Sequence, residues 1–142
     1  MSSMVQPTVI TTHRLVKSSD LNHHGTLYAG RTAEWFVEAG FIAAASLTAP
    51  DSVVCLKIHG MEFRRPVRAG EIVRFESKVV DAGRTSLSVC VQVFAQGQQM
   101  VQGFLTFVHV DAEGKPTAHD LVISPVTPED LALQEAARQL KK

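Results

Sequence analysis

From Leu27 to Leu47 nearly every position is apolar or small, and Arg31, Glu34 and Glu38 are the charged exceptions. A run of that length with no proline predicts one long helix, and the near absence of a polar face predicts that it is buried. At roughly 100° per residue the three charges share one stripe, in the half of the helix nearest the preceding loop. Elsewhere the period changes to two. Val89, Val91 and Val93 alternate with Ser88, Cys90 and Gln92, as in a strand with one face inward. By the same reading strands run from Thr8 to near Lys17, Val53 to Phe63, Ile72 to Asp81, Ser86 to Ala95 and Gln99 to Val110. The separators Ala82-Gly83-Arg84-Thr85 and Gln96-Gly97-Gln98 are short, which favours antiparallel hairpins. Pro50 stops the first helix, and Arg64 to Glu71, with Pro66 and Gly70, is a turn-rich connection. After Asp111 to Pro116 ends the sheet, Thr127 as cap, Pro128 at the first helical position and the acids Glu129 and Asp130 predict a second helix. It should run from about Pro128 to Leu140, at the surface or between subunits. The expected architecture is α+β: a long central helix wrapped by an antiparallel sheet of five or six strands. Residues 1–142 form one domain, with a core of about 8–110 and a C-terminal extension carrying the second helix.

Composition narrows the class. The 142 residues are 45% hydrophobic and 20% charged, with 14 basic and 14 acidic side chains, so the net charge is zero. Without a basic run, nothing points to nucleic acid or to an anionic membrane surface. No stretch reaches the roughly 18 apolar residues of a membrane span, and the start of the chain lacks a leader pattern. A soluble cytoplasmic protein is expected. Cys55 and Cys90 both lie in apolar strand-like runs and are expected as reduced core residues.

The chemistry-bearing stretch is Asp20-Leu21-Asn22-His23-His24-Gly25-Thr26, which feeds the long helix. Two adjacent histidines point in different directions, and the other histidines and cysteines do not stand at zinc-like spacing, so no metal is expected. There is no Gly-x-Ser-x-Gly for nucleophilic serine chemistry and no Gly-x-Gly-x-x-Gly for a nucleotide. What remains is a carboxylate on the helix with an amide and an imidazole at its entrance. That set can run hydrolysis: the carboxylate activates water or attacks, and Asn or His orients water or polarises a carbonyl. Backbone N–H groups near Gly25 and Thr26 are the expected oxyanion donors. The plainer alternative is that Glu34 and Glu38 are a solvated face and that Asp20 bonds its own backbone.

Asp20-x-Asn22-x-His24-Gly25, Tyr28-x-Gly30, Glu62-Phe63-x-Arg65-Pro66-Val67-x-x-Gly70-Glu71 and Gly83-x-Thr85-Ser86 together resemble the hotdog-fold acyl-CoA thioesterases over about residues 8–110. The resemblance implies a hotdog fold, active sites at a subunit interface, a homodimer at least, with pairing into a tetramer or hexamer, and no metal or bound cofactor beyond the coenzyme A of the substrate. It makes Asn22 the catalytic or water-positioning amide, Gly25 its tight turn and His24 an auxiliary group. Counting from Gly30, the acyl-CoA hydrolase branch has its acid where Val37 stands here. The Trp-x-x-Glu of the acyl-carrier-protein branch is matched by Trp35 to Glu38, so Glu38 is the expected acid and Glu34 the alternative. Arg65, Arg84, Thr85 and Ser86 stand where family members hold coenzyme A. The implied activity is hydrolysis of acyl-CoA, or of acyl carried on acyl-carrier protein. The rivals are an enoyl-thioester hydratase or dehydratase and a non-catalytic acyl-CoA-binding module.

Overall fold

The computed structural model describes residues 2–141. In chain order the elements are β1 (Ser3–Val5), β2 (Ile10–Leu15), α1 (Ala29–Leu47), β3 (Val53–His59), β4 (Ile72–Ala82), β5 (Ser86–Ala95), β6 (Gln98–His109), β7 (Leu121–Ile123) and α2 (Pro128–Leu140). Five of them form an antiparallel sheet in the order β2-β4-β5-β6-β3, and β1 pairs with β7 in a separate parallel ribbon. The two predicted hairpins, β4-β5 and β5-β6, are both present.

One face of the sheet carries α1. Phe75 and Val79 of β4, Val89 and Val91 of β5, and Leu105 and Phe107 of β6 are buried against Trp35, Phe36, Ala39, Ala43 and Ala44. Fully burying side chains of this size contributes about 1.5–3 kcal/mol each, which is what fastens helix to sheet. Gly40 sets the approach distance, because a Cβ there would overlap Leu105. The Ser77 hydroxyl donates to the Ala39 carbonyl at 2.9 Å, a buried polar tie between β4 and the helix.

The helix is less enclosed than its sequence predicts. Glu34, Glu38, Ile42 and Ser46 form an exposed stripe at four-residue spacing. A single sheet covers only one side of a helix, so the apolar residue of that stripe, Ile42, is left 36% exposed by the described residues.

The opposite face of the sheet is closed by α2, whose Leu133 and Ala137 pack on Val80, Cys90 and Phe104. Two ion pairs, Lys78 with Asp130 and Asp81 with Arg138, clasp the helix to β4. The Gln134 amide donates to the Val80 and Ile123 carbonyls, both at 3.2 Å. Four expectations change. β2 is shorter than Thr8 to Lys17. β3 stops at His59 rather than Phe63, since Gly60 turns the chain out at φ 74°. β1 and β7 are too short, at three residues each, for a period-two pattern to reveal. Cys55 is exposed, not a core residue, because β3 is the last strand of the sheet; Cys90 is buried as expected. Among the described residues no helix is long and apolar enough to cross a membrane.

Candidate active site

The chain leaves β2 through one 3-10 turn at Ser18–Asp20, where the Asp20 carboxylate accepts the Lys17 N–H at 2.9 Å. The next five residues close a tight turn around Asn22. Its Oδ1 accepts the backbone N–H of His24 at 2.9 Å and of Thr26 at 3.2 Å, while Gly25 donates its N–H to the Asn22 carbonyl at 3.1 Å. Gly25 has φ 79°, which side chains with a Cβ rarely adopt. The Asn22 oxygen is thereby committed to the loop. Its Nδ2 donates one hydrogen to Thr26 Oγ1 at 3.1 Å, and an amide nitrogen carries two.

Asn22 stands on the wall of a cavity of about 340 Å³ between the start of α1 and the sheet. Leu27, Val67, Val73, Val93 and Val101 make its apolar lining, with Met100 and Phe63 beside them; Thr32, Arg64 and Arg65 are the other polar members. Tyr28 caps α1 without a side-chain bond, so the first turn offers bare backbone donors. Arg31 and Thr32 both return their N–H to the Tyr28 carbonyl, whereas those of Ala29 and Gly30 find no partner among the described residues. The expected oxyanion donors therefore move. The N–H groups of Gly25 and Thr26 are occupied within the turn, and the open ones belong to Ala29, which lines the cavity, and Gly30.

The other candidates separate into those near the cavity and those away from it. Arg65 lies on the rim, but its guanidinium donates to the Ala95 carbonyl at 2.9 Å and lies 3.5 Å from Glu71 Oε1. Its neighbour Arg64 is exposed, and among the described residues its guanidinium bonds only Gln99, at 3.4 Å. His24 is exposed, its ring 3.9 Å from that of His23, and it supports Asn22 through its backbone, not its imidazole. Arg84, Thr85 and Ser86 form the β4-β5 hairpin and are not brought to the Asn22 cavity within the chain. There the Thr85 carbonyl accepts from His109, Ser86 accepts from His119 and Lys141, and Arg84 borders a separate hollow of about 320 Å³ with His119 and Asp120.

Neither helix acid lines the cavity. Glu38 forms an ion pair with Arg14 of β2, whose guanidinium also lies 5.5 Å from the centre of the Trp35 ring. It leans toward the β2 edge of the sheet. Glu34 is freer: its side chain is 67% exposed and, among the described residues, pairs only with Arg31, at 3.4 Å, which in turn lies 3.5 Å from the buried Asp20. Val37 is on the other flank, the one that Phe41 shares and packs on Phe107 of β6 at 6.2 Å between ring centres. Helical geometry puts Glu34 about 60° from the direction of Val37 and Glu38 about 100° from it.

Cysteine chemistry is remote from this site. Burial pushes the Cys90 thiol up to about 12, and burial also raises Cys55, so neither is poised as a thiolate. Among the described residues no group of three or more His, Cys, Asp or Glu could hold a metal ion. The sequence reading missed Thr32, Arg64 and the apolar wall. Only Thr32 had a signal, as a hydroxyl in the first turn of a largely apolar helix; the wall is assembled from β4, β5 and β6 together with Leu27 and Val67, which meet only once α1 lies on the sheet.

Comparison with known proteins bears on this geometry. The sequence model of the thioesterase superfamily matches residues 24–102. Acyl-CoA thioester hydrolase YciA of Escherichia coli (strain K12) is 30% identical over 113 residues, covering 73% of this chain and 85% of the relative. The structure of an acyl-CoA hydrolase from Staphylococcus aureus in complex with butyryl coenzyme A, coenzyme A and coenzyme A disulfide superposes with a TM-score of 0.87 at 25% identity, covering 98% of this chain and 88% of that one. An apo-hexameric acyl-CoA thioesterase superposes with a TM-score of 0.86 at 30% identity, covering 94% and 88%.

Proposed function

The chain belongs to the thioesterase superfamily, and from that membership we propose that it is an acyl-CoA thioesterase, converting acyl-CoA and water into the free acid and coenzyme A. The observation that carries the reading is the Asn22 cavity. It is an apolar chamber of about 340 Å³ with an amide N–H and a bare helix start at one wall and arginines at the rim. Acyl chain, carbonyl oxygen and anionic coenzyme A each find a matching surface there. Coenzyme A as carrier is further supported by the bound ligands of the Staphylococcus aureus relative. No cofactor is needed, because coenzyme A arrives as part of the substrate.

In the step we propose, a water oxygen bonds to the thioester carbonyl carbon while a carboxylate takes its proton. Negative charge collects on the carbonyl oxygen, where the second Asn22 Nδ2 hydrogen and the N–H groups of Ala29 or Gly30 can receive it. The C–S bond then breaks, the carbonyl reforms as the acid, and the proton passes to the thiolate sulfur. The acid assigned by sequence, Glu38, is turned toward Arg14, so Glu34 is the better-oriented candidate. Since neither lines the cavity of its own chain, the carboxylate is supplied across a homodimer. The exposed apolar side chains of β3 support such a dimer, and the hexameric relative supports further assembly. The free thiols of Cys55 and Cys90 fit a reducing cytoplasm. Arg64, and Arg65 less freely, are the proposed contacts for coenzyme A, and Arg84, Thr85 and Ser86 reach it only from a neighbouring subunit.

One observation favours a second reading, a binding module without turnover: Val37 is apolar where the family branch has its acid. Thiol release from short-, medium- and long-chain acyl-CoAs decides between them. Release from any of them establishes hydrolysis. Binding with no release would favour the module, and an absorbance change on enoyl thioesters without thiol would favour hydration.

A further inference from the structure

Thr32 lies on the wall of the acyl-sized cavity, and among the described residues nothing bonds its hydroxyl. The residue is 5% exposed and shares the cavity wall with Asn22. A helical threonine ordinarily turns its hydroxyl back to the carbonyl four residues earlier. Thr48 does so, bonding the Ala44 carbonyl at 2.9 Å. Thr32 cannot do the same on equal terms. Its own partner would be the Tyr28 carbonyl, which already accepts the N–H of Arg31 at 2.9 Å and of Thr32 at 3.1 Å. Both lone pairs of that oxygen are taken.

The surroundings decide what the hydroxyl can meet. Facing Thr32 across the cavity are Val73 of β4, Val93 of β5 and Val101 of β6, each at most 1% exposed and none able to accept or donate. The hydroxyl is open to the cavity, where water can reach it, and an apolar chain that expels that water leaves it unpaired unless the chain bonds it. An unsubstituted hydrocarbon chain would displace water from the hydroxyl and leave it unpaired. An acyl chain bearing an oxygen would not.

We propose that the Thr32 hydroxyl is a specificity-determining group that reads an oxygen substituent on the acyl chain, favouring hydroxy- or oxo-acyl groups over the plain chain of equal length. The inference rests on the acyl-CoA reading above and adds a substrate class to it. A site built around a hydrogen bond to substrate discriminates against the analogue that lacks the partner, because its own polar group is then stranded.

The test reads binding, so that it does not depend on turnover. The unhydrolysable thioethers S-butyl-coenzyme A, S-(3-hydroxybutyl)-coenzyme A and S-(4-hydroxybutyl)-coenzyme A are titrated by calorimetry into the wild-type protein, Thr32→Val and Thr32→Ser. Valine keeps the shape and removes the hydroxyl; serine keeps the hydroxyl. The ratio of plain to hydroxylated dissociation constants should fall by about 3- to 10-fold in Thr32→Val for at least one hydroxylated analogue, the range of one neutral hydrogen bond, and should be retained in Thr32→Ser. Thr32→Ala carries the same expectation and replaces Thr32→Val if that variant does not fold. Equal ratios in wild type and in the variants lacking the hydroxyl, for both hydroxylated analogues, overturn the proposal. Thiol release is followed in parallel with butyryl- and hydroxybutyryl-CoA. No release together with a Thr32-dependent ratio sinks the hydrolysis reading and leaves this one standing, whereas release with an unchanged ratio does the reverse.

Discussion

At Asn22 the two ends of one amide have different tasks. The oxygen holds the turn through His24 and Thr26, and the nitrogen gives one of its two hydrogens to Thr26, leaving the other for the proposed oxyanion. Alanine would remove both, so loss of activity in Asn22→Ala would confound a collapsed loop with a lost donor. Asn22→Asp separates them, since a carboxylate accepts the same two backbone N–H groups but donates nothing. Melting should change little while kcat on acyl-CoA falls about 100- to 1,000-fold, the usual loss for one oxyanion donor. Normal turnover in Asn22→Asp would remove the amide N–H from the mechanism. The helix acids take the same kind of test. Glu34→Gln should lower kcat by about 100-fold or more, as loss of a general base does, whereas Glu38→Gln only breaks an exposed ion pair with Arg14 and should leave turnover near normal. The opposite ranking would return the role to Glu38. The place of Asn22 was legible because its bonds are local, within four residues. Thr32 and the valine wall were not, because the cavity exists only once β4, β5 and β6 lie under α1. That Arg84, Thr85 and Ser86 lie away from this cavity within the chain was not legible for the same reason: a motif fixes a hairpin, and tertiary packing decides what the hairpin faces.

The elements divide by how local their causes are. Helix α2 runs over the residues its signals predicted, with Thr127 Oγ1 accepting the Asp130 N–H at 3.1 Å, because cap, proline and first-turn acids act within one turn. That α2 would seal the outer face of the sheet was not legible, since Leu133 and Ala137 meet partners on β4, β5 and β6. The length of β3 was also misread, as Gly60 ends it before the apolar pattern does. At that end His59 bonds Thr106 Oγ1 at 2.7 Å from inside the edge of the sheet. Its burial, and then the charges of Lys57 and Lys141, hold its pKa below the ordinary histidine value. The unfolded chain therefore takes up a proton before the folded one does. Stability is unaffected by this residue well above pH 6.5 and falls as the pH drops from there through the folded pKa. His59→Gln keeps a polar partner for Thr106 without titrating. Melting curves at fixed protein concentration from pH 7.5 to 5 should show a shallower acid-side decline in the variant than in wild type. Identical slopes would mean that His59 is as easily protonated folded as unfolded.

For the whole molecule the two edges of the sheet are unlike each other. The β2 edge is guarded on the helix side by the Arg14–Glu38 pair stacked on Trp35. The β3 edge carries Val54, Leu56 and Ile58 at 50%, 67% and 42% exposure, and Leu56 is the bulged residue, without a partner in β6. Beyond β3 no described strand accepts its outer backbone groups, and an open apolar edge of that kind invites a second copy by strand pairing. Pairing there would extend the sheet across two chains, cover those side chains and bring the Val37 flank of each α1 toward its counterpart. The outer face of the sheet offers no such invitation, because α2 already occupies it with Leu133 and Ala137. Assembly beyond a dimer must then use other surfaces. Leu56→Arg places a charge with a long solvated stem in the middle of the edge and leaves the core untouched. Light scattering at micromolar concentration should show wild type as a dimer or larger and the variant shifted toward monomer, with acyl-CoA turnover reduced in step if, as proposed, the acid comes from the second chain. A wild-type monomer that turns over acyl-CoA would overturn both the edge pairing and the shared active site.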